Sequence, residues 1–140
     1  MKHLEIELKT LLKKEDYDHL KEQFSHIQPV LQKNYYIDTP DFQLREKKVA
    51  MRIRTFSDWA ELTLKVPQIV GNMEYNQKLN LPEAESYLEK QILPQGLVLE
   101  ELAKIGIESQ DWFVLGCLAT IRYEMETSIG LMALDESHYF

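Results

Sequence analysis

The chain has 140 residues, enough for one domain with a real core. Hydrophobic residues make up 44% and charged residues 28%, the balance of an ordinary folded protein rather than a disordered one. The formal net charge of −7 argues against nucleic acid or an anionic membrane as partner. The single cysteine, Cys117, forms no intramolecular disulfide, and no apolar run approaches a membrane span, so a cytoplasmic protein is expected.

"HLEIELKT" (3–10) alternates with period two and predicts a strand. In "KKEDYDHLKEQFSHI" (13–27), Tyr17, Leu20, Phe24 and Ile27 recur at helical spacing, and Pro29 bars continuation. "VLQKNYYIDT" (30–39) reads as a second strand. Thr39 as N-cap and Pro40 at the first helical position predict a short helix in "TPDFQLREK". "VAMRIRTF" and "AELTLKV" form a hairpin across "SDW", and "GNMEYNQKLNL" follows a turn at Gly71 and Asn72. "PEAESYLEKQI", opened by Pro82, and "PQGLVLEELAKIG", stopped by Gly106, predict two helices. A long strand, clearest from Ala119 to Thr127, turns at "SIG" into a last strand, "LMALDESHYF". The expectation is a single α+β domain over 1–140, mostly antiparallel sheet with helices in its connections.

Charges fall on one face of these strands. Glu5, Glu7 and Lys9 share a parity, as do Arg52 and Arg54, then Glu61, Thr63 and Lys65, then Glu74, Asn76 and Lys78, and finally Arg122, Glu124 and Glu126. A sheet with one wet face produces this pattern, and so does a polar pocket. Carboxylates two residues apart suit a hard divalent cation, and arginine forks suit phosphate oxygens. Periodicity leaves both readings open.

The order of the motifs adds a resemblance. Glu5-Ile6-Glu7-Leu8-Lys9, followed by "NYYIDTPDFQLREKKVAMRIR", "AELTLK", "GNMEYN", "ATIRYEME" and "LMALDES", resembles the CYTH superfamily of triphosphate tunnel metalloenzymes, in its small bacterial branch, along nearly the whole chain. The resemblance implies an antiparallel β-barrel tunnel with helices packed outside and charged strand faces lining the lumen. It implies Glu5, Glu7 and Asp135 as ligands for Mg²⁺ or Mn²⁺. Lys9, Arg52, Arg54, Lys65 and Arg122 would bind the triphosphate. Glu74 and Lys65 would be the catalytic pair, with Glu74 holding metal or orienting water. The implied reaction is metal-dependent hydrolysis of inorganic triphosphate, thiamine triphosphate or a nucleoside triphosphate. ATP cyclisation of the adenylate cyclase class IV type and triphosphate binding without catalysis are the alternatives. The implied partner is a triphosphate-containing small molecule, with self-association into a homodimer a further expectation.

Members of that family usually continue past the "LDES" strand into another Glu-x-Glu strand and a helix. This chain is therefore expected to be C-terminally truncated relative to the family, with an incomplete barrel. His3, His19, His26 and His138 show no metal-ligand spacing. Cys117 is expected as a buried small hydrophobe, and Tyr35, Tyr36, Trp59 and Trp112 as packing residues.

Overall fold

Seven strands and four helices account for the regular structure in the computed structural model, which describes residues 1–139. Phe140, the end of the predicted last strand, lies outside the described residues. In chain order the elements are β1 (Lys2–Glu5), α1 (Lys14–Gln23), β2 (Val30–Asp38), α2 (Gln43–Glu46), β3 (Ala50–Thr55) and β4 (Trp59–Pro67). They continue with β5 (Asn72–Asn80), α3 (Leu81–Lys90), α4 (Leu97–Lys104), β6 (Phe113–Thr127) and β7 (Gly130–Tyr139). The strands form one antiparallel sheet in the order β1-β5-β4-β3-β2-β6-β7. It is curled but open: among the described residues, β1 and β7 remain its two edges, so the expected tunnel is a half-barrel with a cleft.

Alternation decides which face is buried. Met51 and Ile53 on β3, Leu62 and Leu64 on β4, and Tyr75 and Leu79 on β5 point to one side. There they meet Ala84 of α3 and Val98 and Leu102 of α4, all shielded from solvent. Burying side chains of this size supplies about 1.5–3 kcal/mol each, which fixes the register of these central strands. Arg52, Arg54, Thr63, Lys65, Glu74 and Asn76, one residue out of phase, take the opposite face.

Caps explain where the helices begin. Asn80 Oδ1 accepts from the Glu83 amide at 2.8 Å, so α3 starts just before Pro82. Gln77 Oε1, from β5, accepts from the Val98 amide at 2.7 Å and ties α4 to the sheet. The expected Thr39 cap is only part of the answer for α2. Thr39 Oγ1 does take the Gln43 amide at 2.9 Å, yet the helix begins at Gln43, after Phe42 in a left-handed conformation. Its next two amides, Leu44 and Arg45, go to the buried carboxylate of Asp38 at 3.0 and 3.1 Å.

The first strand is shorter than its sequence pattern. Glu5 pairs with Asn72, the first residue of β5, and the chain turns away at Gly71, so Ile6 to Lys9 have no ladder partner left. Gly71 itself sits at φ +70°, and a Cβ there would lie 2.2 Å from the Glu5 carbonyl oxygen. The β4–β5 turn thus presses directly on the backbone of β1.

Trp59 opens β4 and stacks on Phe56 with centroids 4.3 Å apart, closing the β3–β4 hairpin. Trp112 is buried as a packing residue, whereas Cys117 is only partly covered, opposite Tyr35 of β2.

Candidate functional site

Register builds the acidic end of the polar face. His3 lies opposite Glu74, and Glu74 lies opposite Lys65, so one row crosses β1, β5 and β4. Lys65 Nζ stands 2.6 Å from Glu5 Oε1, 3.7 Å from Glu7 Oε1 and 3.6 Å from Glu74 Oε2. His3 Nε2 is 3.6 Å from Glu74 Oε1, and Asn76 Nδ2 approaches the other ring nitrogen at 3.4 Å.

The two central carboxyls are pushed apart in acidity. Burial raises Glu5, but the Lys65 and Glu74 hydrogen bonds and the charges of Lys65 and Arg52 outweigh it and hold Glu5 at about 2. Burial raises Glu74 as well, and there the hydrogen bond and charge of Glu5 add to the rise, against Lys65 and Arg52. Glu74 is 7% exposed, and its Oε2 has no hydrogen-bond partner among the described residues.

The cationic end is set by β2, β3 and β6. Arg54 Nε donates to Asn34 Oδ1 at 2.6 Å, and Asn34, itself buried, donates to the Leu118 carbonyl at 3.3 Å. Burial, then the charges of Arg52 and Arg122, lower Arg54 to about 10, so it stays charged at neutral pH. Arg52 Nε is buried with no hydrogen-bond partner among the described residues. Arg122 faces Asp135 across the β6–β7 ladder and donates to it through Nε at 2.8 Å and Nη2 at 2.9 Å.

All nine residues singled out in the sequence line one cleft of about 380 Å³: Glu5, Glu7, Lys9, Arg52, Arg54, Lys65, Glu74, Arg122 and Asp135. They are not equally held. Glu7 and Lys9 lie on the irregular segment after β1, and Lys9 is largely exposed, 3.4 Å from Glu7. Asp135, expected with the metal ligands, is engaged by Arg122. Asn34, Tyr36, Glu61, Thr120 and Ser137 complete much of the lining.

His3, set aside above for want of metal-ligand spacing, shares the parity of Glu5 and Glu7 and joins the acidic row through Glu74 on the neighbouring strand. His3, Glu5 and Glu74 each offer a ligand atom, all within 4.8 Å of one another. Two carboxylates and an imidazole, with the buried Glu74 Oε2 lacking a hydrogen bond, fit a small divalent cation. His138, by contrast, makes its ion pair with the neighbouring Glu136, at 3.0 Å.

A family model for the CYTH domain matches residues 3–140. The chain is 38% identical over 138 residues to a Bacillus subtilis (strain 168) protein named "Putative triphosphatase YjbK", covering 97% of this chain and 71% of the relative. Its fold superposes with a TM-score of 0.91 on the crystal structure of a "putative adenylate cyclase" from Bacillus halodurans, 38% identical, over 99% of this chain and 75% of the other. A Hippeastrum protein, described as a "putative adenylyl cyclase" with a dominant triphosphatase activity, is 20% identical with a TM-score of 0.71, over 91% of this chain and 70% of the other, and shows likeness of fold alone.

Proposed function

The chain belongs to the CYTH family, and on that premise we propose that its cleft binds the phosphate chain of a triphosphate and hydrolyses it with Mg²⁺ or Mn²⁺. One observation carries the reading. Two buried polar atoms of opposite character, Arg52 Nε and Glu74 Oε2, share one cleft without hydrogen-bond partners among the described residues. A buried donor without a hydrogen bond calls for an anion, and a buried carboxylate oxygen whose cation, Lys65, stands off at 3.6 Å calls for a closer one, because each costs free energy if left unsatisfied. A metal–phosphate ligand answers both.

In this reading Glu5, Glu7 and Glu74, with His3, hold the cation. When bound, it would neutralise charge on the phosphate oxygens and make water more acidic. Arg52 and Arg54 grip the phosphate chain as forks, and Lys9, Lys65 and Arg122 add charge along it. Asn34 positions Arg54, and Asp135 positions Arg122 by filling one side of its guanidinium. Glu74, buried in the cleft with an oxygen that has no hydrogen-bond partner among the described residues, is suited to accept a hydrogen bond from the attacking water. The name of the Bacillus subtilis relative supports hydrolysis, and that of the Bacillus halodurans relative supports cyclisation.

The test is product analysis with inorganic triphosphate, thiamine triphosphate and ATP, in Mg²⁺, Mn²⁺ or chelator. Metal-dependent release of inorganic phosphate is expected, and it should vanish in the Glu5→Gln, Glu7→Gln double variant while the circular dichroism spectrum is kept. Pyrophosphate with cyclic AMP would replace hydrolysis by cyclisation. Tight binding without turnover would make the chain a binding module.

A further inference from the structure

We propose that Lys65 is a resident counter-ion: it occupies the metal position in the metal-free protein and moves to the phosphate chain when the metal binds. This rests on the metal-binding reading above.

The geometry is specific. The Lys65 ammonium lies within 3.7 Å of carboxylate oxygens from three different residues, Glu5, Glu7 and Glu74. No other described ion pair brings a single cation to three carboxylates. Its side chain is 16% exposed, so this is not a solvated surface pair. The same Glu5 and Glu74, with His3, form the metal-competent group. A Mg²⁺ ion bound to Glu5 would sit about 2.0–2.1 Å from the oxygen. An ammonium nitrogen 2.6 Å from that same oxygen would then be a close like-charged neighbour, and the two compete for one place.

The single charge of Lys65 also under-serves its site. Glu74 Oε2 faces it at 3.6 Å, too far for Lys65 to donate a hydrogen bond to it. The ammonium is a good occupant for Glu5 and a poor one for Glu74, as expected of a placeholder. Its exit is short. Lys65 shares the polar face of β4 with Thr63, which lies opposite Arg52 on β3. Swinging its flexible four-carbon stem moves the ammonium from the acidic row toward the phosphate place beside Arg52, whose Nε has no hydrogen-bond partner among the described residues. Metal binding then costs the Lys65–Glu5 contact, and a phosphate chain restores a partner to Lys65. By linkage each ligand raises the affinity for the other.

Two measurements on the full chain test this. The first pulses the wild-type protein with an amine-acylating reagent and reads Lys65 by mass spectrometry. Labelling should be slow without metal, several-fold faster in saturating Mn²⁺, and slow again when inorganic triphosphate is added with Mn²⁺. The second measures Mn²⁺ affinity by the electron paramagnetic resonance signal of the free ion. Lys65→Met should bind Mn²⁺ about tenfold tighter than wild type, as expected when an occupant is removed. Arg52→Gln, which removes a charge felt by both Glu5 and Glu74 without vacating the place, should gain much less. Lys65 labelling unmoved by Mn²⁺, or equal gains in the two variants, overturns the proposal while leaving the metal reading intact. Absence of Mn²⁺ binding in both wild type and Lys65→Met overturns the metal reading and this one with it. The labelling arm needs no variant and stands even if Lys65→Met fails to fold.

Discussion

Glu74 is held in an environment that disfavours its charge, and Glu5 in one that favours it. The raised pKa of Glu74 means that its folded-state contribution is complete below the ordinary value of 4.5 and is lost as pH rises through the folded value. Glu5, held at about 2, contributes above 4.5 and loses that contribution as pH falls toward about 2. Without metal, Glu74→Gln should therefore melt at a higher temperature than wild type at mildly alkaline pH, with the advantage shrinking as pH falls. Glu5→Gln should melt lower at neutral pH. Thermal melts of both variants across pH check this, and a lower melting temperature for Glu74→Gln in alkali contradicts it. The sequence displays Glu5 and Glu7 as a spaced pair, and family likeness directs attention to Glu74. It does not display that His3 belongs beside them. Its parity with Glu5 was visible, but its role depends on Glu74 standing opposite, a pairing between residues far apart in the chain.

At the scale of elements, periodicity was informative wherever both neighbours of a strand exist. The alternation in β3, β4 and β5 separates core from cleft correctly, because burial enforces it. It misleads in "HLEIELKT", where the pattern runs on but the partner strand ends at Asn72. It is silent about α2, whose leading amides are taken by Asp38 from the strand before it. The short β1 instead owes its position to the β4–β5 turn, through the contact of Gly71 with the Glu5 carbonyl. Gly71→Ala should cost about 1–2 kcal/mol from the left-handed backbone alone. It should also weaken Mn²⁺ binding, since β1 must retreat to admit the methyl group. Urea denaturation and Mn²⁺ titration separate the two effects, and unchanged affinity would remove the turn from the site.

Over the whole molecule, the cleft joins strands of unequal protection. The protected interior belongs to β3, β4 and β5 with α3 and α4, while β1 is a four-residue edge. Hydrogen exchange should be slowest in β3 and β4 and fast in β1. Mn²⁺ should slow β1 selectively, because in the proposed site Glu5 on β1 and Glu74 on β5 would share the ion. Uniform slowing would argue against such a clip. No described helix is long and apolar enough to cross a membrane. Charge in the cleft is also ordered across the sheet: Glu5 on β1 and Glu74 on β5 flank Lys65, Arg52 and Arg54 lie on β3 with Glu61 of β4 opposite Arg54, and the Arg122–Asp135 pair lies on β6 and β7. That ordering gives the cleft a direction. An inorganic triphosphate has ends exchanged by its own symmetry, so entering either way round yields the same complex. A nucleotide or thiamine triphosphate has no such equivalence, and in the proposed site the polarity of the cleft would decide which of its phosphates meets the acidic row.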